Sequence, residues 1–158
     1  MISLKEITWD NGHELMKLEV HESQKNFVAP NTRSLAQAFL HKGDDLLPAM
    51  PFAIYNDDEL VGFTMMIFGQ KGYYKDDDEP YYYLWRFMIG KDHQGKGYGK
   101  AAMAEVLAYL RAMPQGEAKS VYLSYDKENV TARKLYESFG FVETGEVQED
   151  EIISRLVF

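Results

Sequence analysis

Three glycines within six residues constrain this chain more than any other feature of its sequence. The segment Gln94-Gly95-Lys96-Gly97-Tyr98-Gly99 follows an apolar run from Tyr81 to Ile89 and precedes a helical pattern that starts near Tyr98. Glycines let other groups approach the backbone closely, and the free N–H groups and dipole of a helix N-terminus attract anions. A strand, a glycine loop and a helix in this order predict a phosphate-binding loop.

The loop does not match the two commonest phosphate-binding patterns. It lacks the Gly-Lys-Ser/Thr ending of a nucleoside-triphosphatase loop. It also lies past the middle of the chain, with no Rossmann repeat before it. The kind of phosphate-bearing ligand must therefore be inferred from the sequence around the loop.

Composition and charge narrow the class of protein. The 158 residues are 46% hydrophobic, which suits one folded domain over residues 1–158, and the absence of cysteine excludes disulfides and thiolate chemistry. A net charge of −8 disfavours nucleic acid as a partner and is compatible with a cationic substrate, although charge alone favours a purely solubilising role. No signal peptide and no membrane-spanning stretch is recognisable, so we expect a cytoplasmic protein without membrane contact.

Hydrophobic patterning predicts alternating strands and helices along the chain. The first half of the chain is expected to contain a strand at residues 2–7, a short helix capped by Asp10 or Asn11, a short helix and turn at 20–31, a helix capped by Asn31 or Thr32, and a hairpin of strands 52–55 and 60–68. The second half is expected to contain a strand at 81–89, a helix at 98–113, a strand at 121–125 and a helix from Asn129 that ends at Gly140. Two closing strands are expected at 141–142 and 152–157, with Gly145 between them.

The acidic stretch Asp76-Asp77-Asp78-Glu79 lies in the loop before the aromatic strand. It is interpreted first as an exposed tip and second as an acidic lip beside a cation site. A calcium loop is disfavoured, because the glycine and the distal glutamate of such loops are missing. No metal site is expected.

Two motifs together point to one superfamily. Gln94 to Gly99 resembles the Q/R-x-x-G-x-G/A motif of the GCN5-related N-acetyltransferases (GNAT), and Asn129 to Phe141 resembles their second motif, N-x-x-A-x-x-x-Y-x-x-x-G-F. The resemblance implies an α/β (α+β) fold. Its mixed central sheet of six to seven strands is splayed at the cofactor site and flanked by about four helices. A homodimer is one expected assembly.

Within the superfamily, the chain looks most like the bacterial diamine or spermine/spermidine acetyltransferase branch. The resemblance rests on Leu84, Arg86, Phe87 and Ile89 and on the early segment Gln24-x-x-Phe27-Val28. The branch often carries an acidic residue where this chain has Trp85. The implied activity is transfer of acetyl from acetyl-CoA to a small cationic amine, with polyamines first. An antibiotic amine, a peptide amine and a non-catalytic acyl-CoA sensor are the alternatives.

The resemblance also assigns the acetyl-CoA site. Backbone groups of the loop would hold the pyrophosphate, and the end of the preceding strand would pair with the pantetheine arm. Asn129 would contact the cofactor at the mouth of the splayed strands, and Lys134 would meet the adenosine 3′-phosphate. The cofactor residues expected on this basis are Phe87, Met88, Ile89, Gln94, Gly95, Lys96, Gly97, Tyr98, Gly99, Lys100, Asn129, Lys134 and Tyr136.

The chemical prediction centres on Tyr136. In the family the amine attacks the thioester directly and a tyrosine protonates the departing thiolate. Tyr136 occupies that position of the second motif, although a helical tyrosine facing the core is also a common structural residue. Glu22 is the first candidate for the base that deprotonates the amine, and His21 is the second.

Three aromatic residues are the expected contacts for the acceptor. Phe27, Tyr83 and Trp85 would form an apolar wall for its aliphatic part and offer a cation–π contact to its ammonium. Each of them is equally suited to the core.

Overall fold

The computed structural model describes residues 1–70 and 79–158. Within these residues seven strands and four α-helices are present. In chain order they are β1 (Ile2–Glu6), α1 (Trp9–Lys17), α2 (Asn31–Leu40), β2 (Ala49–Asn56), β3 (Glu59–Gly69), β4 (Tyr81–Ile89), α3 (Tyr98–Arg111), β5 (Ser120–Asp126), α4 (Val130–Ser138), β6 (Val142–Gln148) and β7 (Glu151–Val157).

The strands form one mixed sheet in the order β1-β2-β3-β4-β5-β7-β6. Only β4 and β5 are parallel, and they pair at three positions, the last being Leu84 opposite Leu123. Beyond that position β4 continues alongside β3, and β5 continues alongside β7. The predicted mixed, splayed sheet with four helices is confirmed.

The sheet is covered on both faces. On one face α3 contributes Met103, Val106 and Leu110 to a core that also contains Tyr82 and Leu123. On the other, Leu15 of α1 packs with a second buried cluster drawn from β2, β3 and β4. Each large apolar side chain buried in this way stabilises the fold by about 1.5–3 kcal/mol. Packing on both faces therefore stabilises the sheet that contains the splay.

A β-bulge interrupts β4 at Trp85. Arg86 pairs with Met65 and Leu84 pairs with Met66, so Trp85 has no partner of its own in β3. Side chains bind the two carbonyls at the bulge: Thr64 Oγ1 donates to Arg86 O at 2.9 Å, and Arg86 Nη1 donates to Trp85 O at 3.0 Å. A bulge redirects the side chains that follow it.

Two of the expected helix caps were wrong. Helix α1 is capped by Thr8, which accepts from Asp10 N at 3.2 Å, while Asn11 Oδ1 accepts from Thr8 N at 2.9 Å. This is a capping box, in which Asn11 takes the third helical position instead of the cap. Asn31 is the first residue of α2, and its buried amide donates to Leu15 O at 2.9 Å, which ties α2 to α1.

The end of the chain also differs from expectation. Strand β6 runs through Gly145 to Gln148, and the ladder between β6 and β7 breaks between Glu143 and Val147. The turn before β7 is made by Glu149 and Asp150, both with positive φ (49° and 65°). Gly145, at φ 87°, thus marks an irregularity within a strand instead of the connection between two strands.

Two expectations concern segments away from the sheet. Asp76 to Asp78 of the acidic stretch lie outside the described residues, whereas Glu79 accepts a hydrogen bond from Lys119 at 2.6 Å. In the described parts of the chain, no helix is long and apolar enough to cross a bilayer.

Candidate active site

A cleft of about 1030 Å³ opens where β4 and β5 diverge. Its loop side consists of the β4 end (87–89), the glycine loop (94–99) and Asn129. Its pocket side is lined by side chains from separate elements, among them Phe27, Arg33, Tyr83, Trp85, Arg86, Ser124, Asp126, Glu149 and Glu151. Tyr136 also lines the cleft.

The glycine loop has the geometry of an anion cradle. Gly95 and Gly97 have φ values of 76° and 82°, and a Cβ added to either would meet no protein atom within 4 Å. The first hydrogen bond of α3 is from Ala101 N to Gly97 O at 3.2 Å, so the N–H groups of Tyr98, Gly99 and Lys100 have no partner within the helix. Open space and free donors fit a diphosphate.

Gln94 supports the loop from behind. Its Nε2 donates to Ile89 O at 2.9 Å and to Gln24 Oε1 at 2.9 Å, and Gln24 Nε2 donates back to Gln94 Oε1 at 3.1 Å. The Tyr98 hydroxyl accepts from Asn56 Nδ2 at 3.2 Å. These two side chains therefore fix the loop to the sheet and to the early segment of the chain.

The rest of the loop side offers backbone more than side chains. Past Leu84, strand β4 pairs only with β3, so the edge at Phe87, Met88 and Ile89 faces the cleft. Asn129 caps α4 by accepting from Ala132 N at 3.3 Å and also lines the cleft.

Three of the predicted cofactor residues lie farther out. Lys96, Lys100 and Lys134 are exposed and do not line the cleft. Their ammonium groups can act on a bound anion only from the rim.

Tyr136 is buried in the gap between the splayed strands. Its ring lies 5.7 Å from that of Tyr125 and 6.0 Å from that of Phe141, measured between centroids. Burial raises the pKa of its hydroxyl well above the ordinary value, and the negative charge of Glu151 adds to the effect. The phenol therefore keeps its proton at neutral pH and can act as a proton donor.

A hydrogen-bonded chain of three side chains lies on the pocket side. Ser124 Oγ donates to Glu151 Oε2 at 2.6 Å, and the Tyr83 hydroxyl is 2.7 Å from Ser124 Oγ. Asp126 lies directly opposite Glu151 in the β5–β7 ladder. The sequence prediction missed Ser124, Asp126 and Glu151, because only the strand register brings them to the cleft.

The aromatic residues predicted for the acceptor do line the cleft. Trp85 lies against Arg86, whose guanidinium carbon is 4.9 Å from the indole centroid, and edge-on to His41 at 5.5 Å. Phe27 lies in the loop before α2 and is partly exposed. These rings give the pocket side an apolar surface beside its charges.

The predicted bases are not in the cleft. The Glu22 side chain is 87% exposed and pairs with Lys25 Nζ at 2.8 Å. His21 is likewise exposed, and neither residue lines the cleft. Among residues 1–70 and 79–158, no cluster of three or more histidine or acidic side chains is arranged to hold a metal ion.

The sequence profile of the Acetyltransferase (GNAT) family matches residues 9–141. The chain belongs to this family, as the two motifs predicted. The probable spermine N(1)-acetyltransferase of Bacillus subtilis subsp. natto (strain BEST195) is 31% identical over 147 residues, which cover 92% of this chain and 91% of that protein.

Solved structures share the fold at low identity. Aminoglycoside acetyltransferase AAC(6')-Ib in complex with coenzyme A superposes with a TM-score of 0.78 at 14% identity, covering 99% of this chain and 95% of that one. Spermidine N-acetyltransferase from Vibrio cholerae, in complex with CoA and spermine, gives 0.69 at 19% identity, covering 99% and 94%.

Proposed function

We propose that this protein transfers the acetyl group of acetyl-CoA to a primary amine of a polyamine such as spermine or spermidine. One observation carries the proposal: the anion cradle, Tyr136 and the carboxylates of the pocket side all line a single cleft. The 31% identity to a probable spermine N(1)-acetyltransferase over most of both chains supports the acceptor class.

The loop side would hold the co-substrate, which brings an activated acetyl thioester. The N–H groups of residues 95–100 donate to the diphosphate, and the open edge of β4 at Phe87, Met88 and Ile89 pairs with the amide arm. Asn129 contacts the arm at the mouth of the cleft. Lys96, Lys100 and Lys134 add positive charge from the rim.

Tyr136 would supply the proton for the thiolate that leaves. Its burial keeps the phenol neutral, and Tyr136 lines the same cleft as the loop side and the pocket side, which supports a role as donor where the two substrates would meet. A neutral phenol in a water-poor site is a competent general acid.

The pocket side suits an aliphatic polycation. Asp126, Glu149 and Glu151 carry negative charge into the cleft, while Trp85 and Tyr83 offer aromatic faces to methylene groups and to ammonium. The net charge of −8 would also draw a polycation towards the protein.

A second acceptor class is favoured by two arginines of the pocket side. Arg86 donates to Ser34 Oγ at 3.1 Å and to Gln37 Oε1 at 3.0 Å, and Arg33 lines the same region. Neither is paired with a carboxylate in the described part of the chain. An amine that also carries a carboxylate, such as a peptide or an amino acid, would satisfy them.

An acceptor screen tests the proposal. Thiol release from acetyl-CoA is measured with spermidine, spermine, putrescine, an aminoglycoside and short peptides. We expect the highest kcat/KM with spermidine or spermine. A preference for peptides would favour the carboxylate-bearing class, and acetyl-CoA protection against melting without turnover of any amine would favour a sensor. The proposal includes a cytoplasmic location. A homodimer is one proposed assembly, which sedimentation of the purified enzyme would test.

A further inference from the structure

The Tyr83–Ser124–Glu151 chain has a defined direction. An ionised carboxylate only accepts hydrogen bonds, so the single Ser124 proton points to Glu151 Oε2 at 2.6 Å. Ser124 Oγ must then accept from the Tyr83 hydroxyl, 2.7 Å away. The chain of donors therefore ends at one carboxylate oxygen, Oε2, and no residue in the described chain donates to the other, Oε1.

The fold fixes the position of this carboxylate. Glu151 is the first residue of β7, directly after the turn at Glu149 and Asp150, and it pairs with Asp126 of β5. Ser124 lies two residues before Asp126, so both side chains project from the same face of β5. A strand position held by two neighbouring strands orients a catalytic side chain better than a loop does.

We propose that Glu151 is the base that takes the proton from the acceptor ammonium, with Ser124 as the residue that positions it. This inference rests on the proposed function. It assigns to Glu151 the role predicted from the sequence for Glu22, whose carboxylate is exposed and pairs with Lys25. Glu151 lies near the buried phenol of Tyr136, so one group can accept a proton where the other donates one.

The proton balance of the reaction closes with these two groups. The ammonium gives one proton to Glu151 Oε1, and the free nitrogen lone pair forms the C–N bond while the C–S bond breaks. The thiolate takes the Tyr136 proton, and the nitrogen gives its second proton to solvent. Tyr136 regains a proton from solvent and Glu151 releases one, so each turnover yields amide, thiol and one net proton.

The charges around Glu151 come from each neighbouring element. Tyr83 and Arg86 lie on β4, Asp126 on β5, Tyr136 on α4 and Glu149 in the turn. Arg33 on α2 also lines the cleft and its charge acts on Arg86, while the charges of Arg86 and Glu151 act on each other. Because several charges surround Glu151, a change in the pH dependence of kcat can be assigned to Glu151 only by substituting that residue.

The test compares Glu151→Gln with Glu22→Gln in the full chain. With spermidine, or the best amine from the screen, we expect Glu151→Gln to lower kcat about 100-fold near pH 7. The loss should shrink as pH rises towards the amine pKa, because the free amine then needs no base. Acetyl-CoA affinity, measured by calorimetry, and thermal melting should stay near wild type, and Glu22→Gln should retain full activity.

Two further variants test positioning. Ser124→Ala should lower kcat about tenfold with the same relief at high pH, and Ser124→Thr should restore most of it, because the hydroxyl returns. If Glu151→Gln keeps full kcat, or raises only the amine KM equally at every pH, Glu151 is not the base. Such a result leaves the proposed function intact, since wild-type turnover of the amine tests that function separately. If Glu151→Gln does not fold, Glu151→Asp takes its place, with the same pH-dependent loss expected.

Discussion

The two sides of the cleft are built by different means. The loop side presents backbone: N–H groups at the start of α3, two glycines with positive φ and an open strand edge. The pocket side presents side chains, such as Tyr83, Ser124 and Glu151, from three separate strands. Backbone recognition can be encoded in a few contiguous residues, whereas side-chain recognition depends on distant residues that the sheet brings together.

This difference has a kinetic consequence. Changes on the loop side should alter acetyl-CoA binding whatever the acceptor. Substitutions on the pocket side should alter the kinetic constants for the acceptor and leave acetyl-CoA binding unchanged. Substitution of Tyr136, which lines the same cleft as the loop side and the pocket side, should alter turnover alone.

Tyr136→Phe should have the largest effect among the following changes. We expect kcat to fall at least about tenfold, because the phenol proton is lost while the ring still fills its site. The raised pKa keeps the phenol protonated up to its ordinary pKa of 10.0, so Tyr136 should cause no alkaline fall in wild-type kcat below that pH. Assays that are quenched at fixed times measure kcat of both proteins across the pH range, and calorimetry measures acetyl-CoA binding.

Tyr82→Phe is the matched control for this change. Tyr82 is also buried, and its hydroxyl donates to Gly116 O at 2.7 Å, outside the cleft lining. It should lose about 1 kcal/mol of stability and no turnover. Equal turnover in Tyr136→Phe and wild type would remove Tyr136 from the chemistry.

Gly97→Ala should weaken acetyl-CoA binding about tenfold. The new methyl would point into space that no protein atom occupies, where the diphosphate is proposed to lie, and alanine at φ 82° costs about 1–2 kcal/mol. Gly145→Ala has the same backbone cost at φ 87° with equally open surroundings, but it lies in β6, away from the cleft. If both variants lose stability and neither loses affinity, the cradle does not hold the diphosphate.

Trp85→Leu should have the smallest effect. We expect the acceptor KM to rise about threefold with acetyl-CoA KM unchanged, since a cation–π contact is worth about 0.5–1 kcal/mol. Trp9→Leu removes a tryptophan that is 83% exposed on α1 and should change neither constant. Equal increases in both KM values for Trp85→Leu would mean that the bulge shapes the whole cleft and not the pocket side alone.

The loop side and the pocket side of the cleft also differ in how well the sequence predicted them. Gly95, Gly97, Asn129 and Tyr136 stand in two contiguous motifs, and all four line the cleft. The strand at 81–89 was also predicted with its observed limits, because a long aromatic run between breakers has few alternatives.

On the pocket side, the sequence predicted the aromatic residues Phe27, Tyr83 and Trp85, but not the hydroxyl and carboxylate groups beside them. The sequence favoured Glu22 because it lies in an early segment that often lines the acceptor site, but its side chain is 87% exposed and pairs with Lys25. Glu151 has no sequence signal of its own: it reaches the cleft because β7 pairs with β5 in one particular register. The bulge at Trp85 likewise depends on how β3 and β4 align.

The short parallel junction between β4 and β5 has a consequence for folding. Backbone pairing between the two halves of the sheet is limited to three positions around Leu84 and Leu123, which belong to distant parts of the chain. Non-local contacts of this kind form slowly, because the intervening chain loses entropy before they contribute stability. A fragment ending before β5 would contain the glycine loop, and the remainder would contain Asn129 and Tyr136, yet neither would contain a cleft. Acetyl-CoA binding should therefore be acquired only in the last step of refolding.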